Sequence, residues 1–402
     1  MAASAPFQML LFRHPEDSNV EPFEEQIVRS FKGGKETGGY LATGEDLRIG
    51  YKELAEAHPQ PAAEVLDAFC HSLVVVLVDR MLLKADAATW NWIADCWTHV
   101  SASKGRHAMI AFPMEESIGD EFAAKPGLQR LQVQAVQFLG ERAIRPTMAA
   151  LRVLHEVRVL LARGLALQPV AGQPPGFLRL FISHAKADGL PLAQALKNQI
   201  QSISWLKTFY DAEDLPAGSD WLQELENGVG SSLIIMLRTE FYDGRYWCEK
   251  EVRWADEYAT PAVLVDARTA LNHPASALPF GRVPTVRIPD GNLMRVLFGA
   301  LREGVRFLLF ARSVEEMKRV GDLPNPIELR VFCFTPSMNA LLRACRALSD
   351  PKLAAQNPRM ILYPDPPLGT GDNEAAQALV AAYAPQARLV TPQTLAAKGG
   401  SA

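Results

Sequence analysis

Trp247, Glu251, Trp254 and Tyr258 stand at i, i+4, i+7 and i+11 in the run YWCEKEVRWADEY, so on a helix they form one stripe with a carboxylate between two indoles. Such a carboxylate is partly desolvated, and its pKa is expected to rise unless a cation or a ligand hydroxyl compensates. This is the environment of a functional acid. The same spacing also fits a core helix in which the aromatics pack inward and Glu251 reaches water or pairs with Arg245 or Arg253. A second group, Ser183, His184 and Lys186, follows the apolar run FLRLFISH and brings hydroxyl, imidazole and ammonium donors together. His184 also reads as a hydrogen-bonded structural histidine, and Lys186 as a solvated lysine at a helix start. In TFYDAEDLPAGSDW, Asp211 and Asp214 are acceptors or helix caps, and Gly218 permits a tight loop. Trp221 offers either a face for stacking or an ordinary packing surface.

These residues need a frame. FLRLFISH, the run into TFYD, SSLIIML and AVLVDA read as strands, and the segments between them carry helical spacing. SSLIIML is continuously apolar, as expected of a strand buried on both faces. Alternating strands and helices predict a parallel sheet covered on both sides, with ligands bound outside the carboxyl ends of the strands. The Pro- and Gly-rich stretch ALQPVAGQPPG at 166–176 and the break GDLPNP at 321–326 divide the chain into domains over about 1–165, 177–320 and 327–402.

The middle segment resembles the Toll/interleukin-1 receptor (TIR) domain family over about residues 177–310. Phe181-Ile182-Ser183-His184, then Phe209-Tyr210-Asp211 with Asp214-Leu215 and Gly218, then Trp247-Cys248 followed by Glu251, carry the resemblance in order. The resemblance implies a flavodoxin-like α/β fold and self-association, with active sites often completed by a second protomer. In the members that cleave NAD+, it implies a catalytic glutamate four residues after the tryptophan, a position held here by Glu251. Ser183, His184 and Lys186 would then hold ribose or diphosphate oxygens, and Asp211, Gly218, Trp221 and Trp247 would line the site. NAD+ is a substrate in this reading, and no cofactor is implied. Loss of nicotinamide leaves a ribosyl cation, which a fixed carboxylate opposes electrostatically. Nicotinamide departs neutral, so one carboxylate suffices where sugar hydrolysis uses two.

The first segment repeats the order of the second. FQMLLFRH aligns with FLRLFISH, placing Phe7 against Phe177, Leu10 against Leu180 and His14 against His184. Glu45–Gly50 aligns with Glu213–Gly218, HSLVVVL with SSLIIML, TWNWIADCW with YWCEKEVRW, and HAMIAF with AVLVDA. The glutamate position holds Ala94 if Trp90 is the counterpart of Trp247, or Cys96 if Trp92 is, and Thr43 stands opposite Asp211. Residues 1–165 therefore read as a catalytically silent TIR-like unit for regulation or assembly. Two amphipathic helices follow within it, LQRLQVQAVQFL and MAALRVLHEVRVLLA, with Met148, Leu151, Leu154 and Leu161 among their apolar positions. The tail is a small α/β unit whose three strands make too small a sheet to stand alone, so it reads either as a truncated third unit or as docked on the second. Its PLGTG loop lacks the phosphate-binding Lys-Ser/Thr pair and reads as a turn.

The 402 residues are 48% apolar and 21% charged, which excludes a disordered chain or a fibre. A net charge of −4 without a dense basic run argues against direct nucleic-acid binding. No run approaches a membrane span and no secretory leader is evident, so a cytoplasmic location is expected. Five dispersed cysteines without a CxxC pair argue against disulfides, and neither they nor the eight scattered histidines show metal-ligand spacing. The reading favoured is a triggered NAD+ glycohydrolase or cyclase of immune or antiphage signalling, repressed until a trigger protein or nucleotide ligand drives assembly. The alternatives are a non-enzymatic TIR scaffold for homotypic assembly and a module that binds a cyclic nucleotide without cleaving it.

Overall fold

A computed structural model describes the chain except residues 1–5, 15, 17, 33–46, 48, 116–117, 126, 129–144, 166–178, 204, 207–220, 270–277, 279–282, 289 and 400–402. Its elements are organised in two compact units.

The first unit contains β1 (Phe7–Phe12), α1 (Glu21–Lys32), β2 (Gly50–Leu54), α2 (Ala62–Asp67), β3 (His71–Val78), α3 (Ala87–Ala102), β4 (His107–Pro113), α4 (Ile118–Ala123) and α5 (Arg145–Ala162). All sheet pairings are parallel, in the order β2-β1-β3-β4. Every residue of β1 and β3 is buried, as a central parallel strand with helices on both faces requires. Asp86 caps α3 by accepting from the Thr89 N–H at 2.8 Å. The amphipathic reading of MAALRVLHEVRVLLA corresponds to α5, with Leu151, Leu154 and Leu161 buried. LQRLQVQAVQFL lies outside the described residues apart from its first leucine.

The second unit contains β5 (Leu180–His184), α6 (Leu190–Ser202), α7 (Trp221–Gly230), β6 (Leu233–Arg238), α8 (Tyr246–Glu257), β7 (Ala262–Asp266), β8 (Thr285–Arg287) and α9 (Leu293–Val320). Its sheet order is β5-β6-β7-β8, again parallel throughout. The strand expected at TFYD lies outside the described residues. In the first unit β1, β3 and β4 are neighbours in the same sequence as β5, β6 and β7 here.

The tail follows with β9 (Glu328–Val331), α10 (Met338–Leu348), β10 (Arg359–Leu362), α11 (Thr370–Tyr383), β11 (Ala387–Val390) and a terminal α12 (Pro392–Gly399) that periodicity does not announce. Its sheet, β11-β10-β9, is also parallel. PLGTG runs into α11, whose first residue is Thr370.

The segments read as 177–320 and 327–402 pack as one unit. Three parallel strands bury too little surface alone, and the tail adds to its core from the domain before it. Val314 and Met317 of α9 join Met360, Leu362 and Val390 in one apolar cluster. Ala259, just past α8, lies in the cluster of Leu341, Ile361 and Val380. Polar contacts reinforce the docking: the Ser337 hydroxyl donates to Asp256 at 2.5 Å, Arg343 pairs with Glu257 at 3.3 Å, and the Arg343 guanidinium stacks 3.8 Å from the Tyr258 ring. GDLPNP remains a local break, since Gly321 ends α9 in the left-handed conformation at φ 85°.

Gly299 sets how closely α9 approaches the sheet. A Cβ there would stand 2.8 Å from Val286 Cγ2 and 3.6 Å from Val263 Cγ1. Gly299→Val is expected to destabilise by about 1–3 kcal/mol through overpacking. Gly299→Ala should fall nearer the parent, because a smaller clash is offset by about 1 kcal/mol of helix propensity. Urea unfolding of the two variants checks the order.

Candidate functional site at the carboxyl edge of the second sheet

α8 buries Cys248, Glu251, Val252, Trp254 and Ala255, a stripe at three- and four-residue spacing that faces the sheet. Glu251 rides in that stripe and is only 7% exposed. Trp247, one position before the stripe begins, sits on its rim at 39% exposure. The sequence motif thus straddles a boundary: its carboxylate points inward and its first indole partly outward.

β5 supplies the opposing group. Alternation along the strand puts Phe181 and Ser183 on one face, and Phe181 packs in the cluster containing Leu225, Cys248 and Val252. Ser183 therefore faces α8, and its hydroxyl donates to Glu251 Oε2 at 2.5 Å. The same oxygen is 2.6 Å from the hydroxyl of Tyr242, which is fully buried just after β6. A serine hydroxyl has one proton; with that proton given to Glu251, Tyr242 must be the donor to Ser183. The result is a directed chain from phenol to hydroxyl to carboxylate. Burial, then the proximity of Cys248 and Glu251, pushes the Tyr242 phenol well above its ordinary range. The Cys248 thiol is pushed up to about 12, by burial first and by Glu251 second. Both groups stay neutral and protonated beside the carboxylate.

The loops that hold this chain are tied to each other. Asp188, in the turn after β5, accepts from the Thr239 hydroxyl at 2.7 Å and from the Phe241 N–H at 3.0 Å. Arg238 at the end of β6 forks onto Asp243, with Nε 3.0 Å from Oδ1. Arg268 forks onto Asp266 at the end of β7, at 2.7 and 2.9 Å, and holds that carboxyl below its ordinary range. Glu240 accepts from the Thr269 N–H and hydroxyl at 2.6 and 2.8 Å.

Aromatic and cationic groups border the site. Phe241 and Tyr246 are exposed, and Tyr246 meets Trp247 edge-to-face at 4.8 Å. The Lys250 ammonium lies 5.2–5.5 Å from the rings of Tyr246, Trp247 and Trp254, within cation–π range.

Of the residues singled out in the sequence, Ser183 and Glu251 meet directly, and Trp247 stands at the rim. His184 does not join them: alternation turns it to the other face of β5, where Nδ1 lies 3.5 Å from the Ile182 carbonyl and Nε2 has no hydrogen-bond partner among the described residues. Lys186 is exposed in the following turn. Asp211, Asp214 and Gly218 lie outside the described residues, as does the side chain of Trp221, which opens α7. Sequence reading missed Tyr242 and Asp188. Both directly follow or flank strand ends at the predicted ligand edge, and that placement was the only signal available for them.

In the first unit, TWNWIADCW, the stretch set against YWCEKEVRW in the sequence, lies in α3. Trp90, Trp92 and Cys96 are buried there, Trp92 donates its indole N–H to the Gln60 carbonyl at 2.9 Å, and its ring lies 5.3 Å from Phe12. Arg13, aligned with Ser183, is engaged by Glu24 and by Glu53 at 2.7 Å.

Residues 180–285 match the family model of the TIR domain. This part of the chain is a TIR domain. No curated protein matches the chain. A crystal structure described as "Putative sugar binding protein from Salmonella typhimurium LT2" is 8% identical and covers 60% of this chain and 88% of its own. Its TM-score is 0.20. No helix among the described residues is long and apolar enough to cross a membrane.

The hydroxyl chain gives an order of effects. Ser183→Ala removes a hydrogen-bond partner from both Glu251 Oε2 and Tyr242 and should cost about 1–3 kcal/mol. Tyr242→Phe leaves the Ser183–Glu251 bond in place and should cost less. Denaturation midpoints that are equal, or reversed in order, would contradict the stated direction of the chain.

Proposed function

We propose that the TIR domain cleaves NAD+ at the nicotinamide–ribose bond, with Glu251 as the carboxylate that opposes the developing ribosyl cation. One observation carries the reading: a buried carboxylate, fixed by a serine hydroxyl, at the carboxyl edge of a parallel TIR sheet and bordered by an accessible indole. The C1′–N bond breaks with its electron pair passing to the nicotinamide nitrogen, so the leaving group is neutral. Water then adds to the cation and loses a proton, giving ADP-ribose; attack by an adenine nitrogen gives a cyclic product instead. Preorganisation matters here because Glu251 needs no reorientation as charge develops.

In this reading Ser183 sets the carboxylate, while Trp247 gives a ring face for nicotinamide or adenine. Lys186, Asp211, Gly218 and Trp221 remain candidate substrate contacts, as does His184, although its side chain leaves the strand on the face away from Glu251. The first unit, with thiol and methyl groups where α8 buries its carboxylate, is the candidate silent repeat. It and the tail are the candidate regulators of an immune effector that is held inactive in the cytoplasm until triggered.

The burial of Glu251 and the exposed rim of Phe241, Tyr246 and Trp247 favour one other reading, a non-enzymatic TIR scaffold. In it Glu251 is a structural acceptor and the rim a surface for homotypic assembly.

Nicotinamide release from NAD+ by the purified full-length protein, at high concentration with a crowding agent, separates the two readings. Release by the parent that falls about 10²-fold or more in Glu251→Gln supports the enzyme, and chromatography of the product distinguishes ADP-ribose from a cyclic form. Equal release by parent and variant, or assembly without release from either, supports the scaffold.

A further inference from the structure

The first unit holds a cluster that no sequence spacing announces. Asp67 ends α2, His99 lies in the last turn of α3, and His107 opens β4. Folding brings His99 Nε2 to 3.2 Å from Asp67 Oδ2 and His107 Nε2 to 3.1 Å from Asp67 Oδ1. The three potential ligand atoms lie within 4.8 Å of one another, and the two imidazoles face each other with ring centroids 5.6 Å apart. Two imidazole nitrogens and one carboxylate oxygen are the donor set of an open zinc site. A tetrahedral ion with bonds of about 2.0–2.1 Å needs its ligand atoms roughly 3.3 Å apart. Each imidazole nitrogen already stands at that spacing from one oxygen of the Asp67 carboxylate, His99 from Oδ2 and His107 from Oδ1, so a small rotation of the carboxylate would bring one oxygen to both. His99, 27% exposed at a helix end, has room for the small swing that closes the third edge.

A cation already occupies this place. The Arg106 Nη2 atom contacts Asp67 Oδ1 and lies 3.2 Å from His107 Nε2, so the guanidinium bridges two of the three donors. Its side chain is 54% exposed and can leave into solvent. We infer that Asp67, His99 and His107 bind one divalent zinc-type cation, which displaces the guanidinium of Arg106. The bound ion would clip α2, α3 and β4 together, and because it binds only the folded unit it would raise the stability of that unit. Borderline N/O donors select zinc and its late first-row neighbours over magnesium or calcium. The inference is independent of the TIR domain's chemistry.

The test uses untagged full-length protein stripped with a chelator and desalted. Calorimetric titration with Zn2+ should show one saturable equivalent, accompanied by a rise in Tm. Binding should weaken about tenfold or more in His99→Ala and in Asp67→Asn, while Arg106→Ala, freed of the competing charge, should bind more tightly than the parent. Co2+ should give the visible bands of a tetrahedral site without a thiolate charge-transfer band, which distinguishes this cluster from the free cysteines. His107 is fully buried and its removal threatens folding, so the partly exposed His99 carries the decisive comparison, with circular dichroism confirming the fold. Equal Zn2+ affinity in parent and His99→Ala overturns the inference. So does the absence of saturable binding in both parent and Arg106→Ala.

Discussion

A carboxylate buried between a helix and a sheet must be hydrogen-bonded or it destabilises the fold. In the TIR domain that requirement falls on Glu251, and Ser183 meets it across the interface between β5 and α8. Much of the surrounding architecture follows from this contact. β5 must end so that Ser183 faces α8, α8 must be rotated so that position 251 lies with Cys248 and Trp254, and Tyr242 must be buried close enough to complete the hydroxyl chain. The Asp188 bonds to Thr239 and Phe241 then fix the turn after β5 against the loop that carries Tyr242.

The tail acts on the same helix from its other end. Asp256, Glu257 and Tyr258 engage Ser337 and Arg343 of the tail, and Tyr258 also donates its hydroxyl to Glu226 of α7 at 2.5 Å. α8 is thus held near its middle by the sheet edge and near its end by the tail. A rotation of α8 would disturb both sets of contacts, which links the placement of Glu251 to the docking of a segment remote from it in sequence.

The two units solve the same packing problem with different chemistry. Both sheets are parallel, and both bury tryptophan-containing helices against the sheet. α8 buries a glutamate satisfied by a hydroxyl, whereas α3 buries Cys96, whose thiol is held protonated by burial. Apolar burial needs no partner, so α3 can pack with fewer directional constraints than α8.

The residue pattern alone determined that the chain alternates strands and helices, that SSLIIML and HSLVVVL are central strands, and that Glu251 shares a helical stripe with Trp247 and Trp254, because periodicity and apolar run length are local properties. It also placed the TIR resemblance on Ser183, Trp247 and Glu251. What it could not decide is which side of a boundary each member of that stripe occupies. Glu251 and Trp247 differ by one helical turn, yet one is buried and the other reaches solvent, since the edge of the covering surface comes from β5 and the loop after β6. Nor could spacing reveal Tyr242 as the third hydroxyl, or the meeting of Asp67, His99 and His107 from α2, α3 and β4. Such groups are separated in sequence and joined only by parallel strand pairing, whose register brings the ends of distant elements to one edge of a sheet. The tail's docking was undecided for the same reason: three short strands with an apolar face admit either a truncated third unit or docking on the second, and the buried clusters shared with α9 and the end of α8 show the docking.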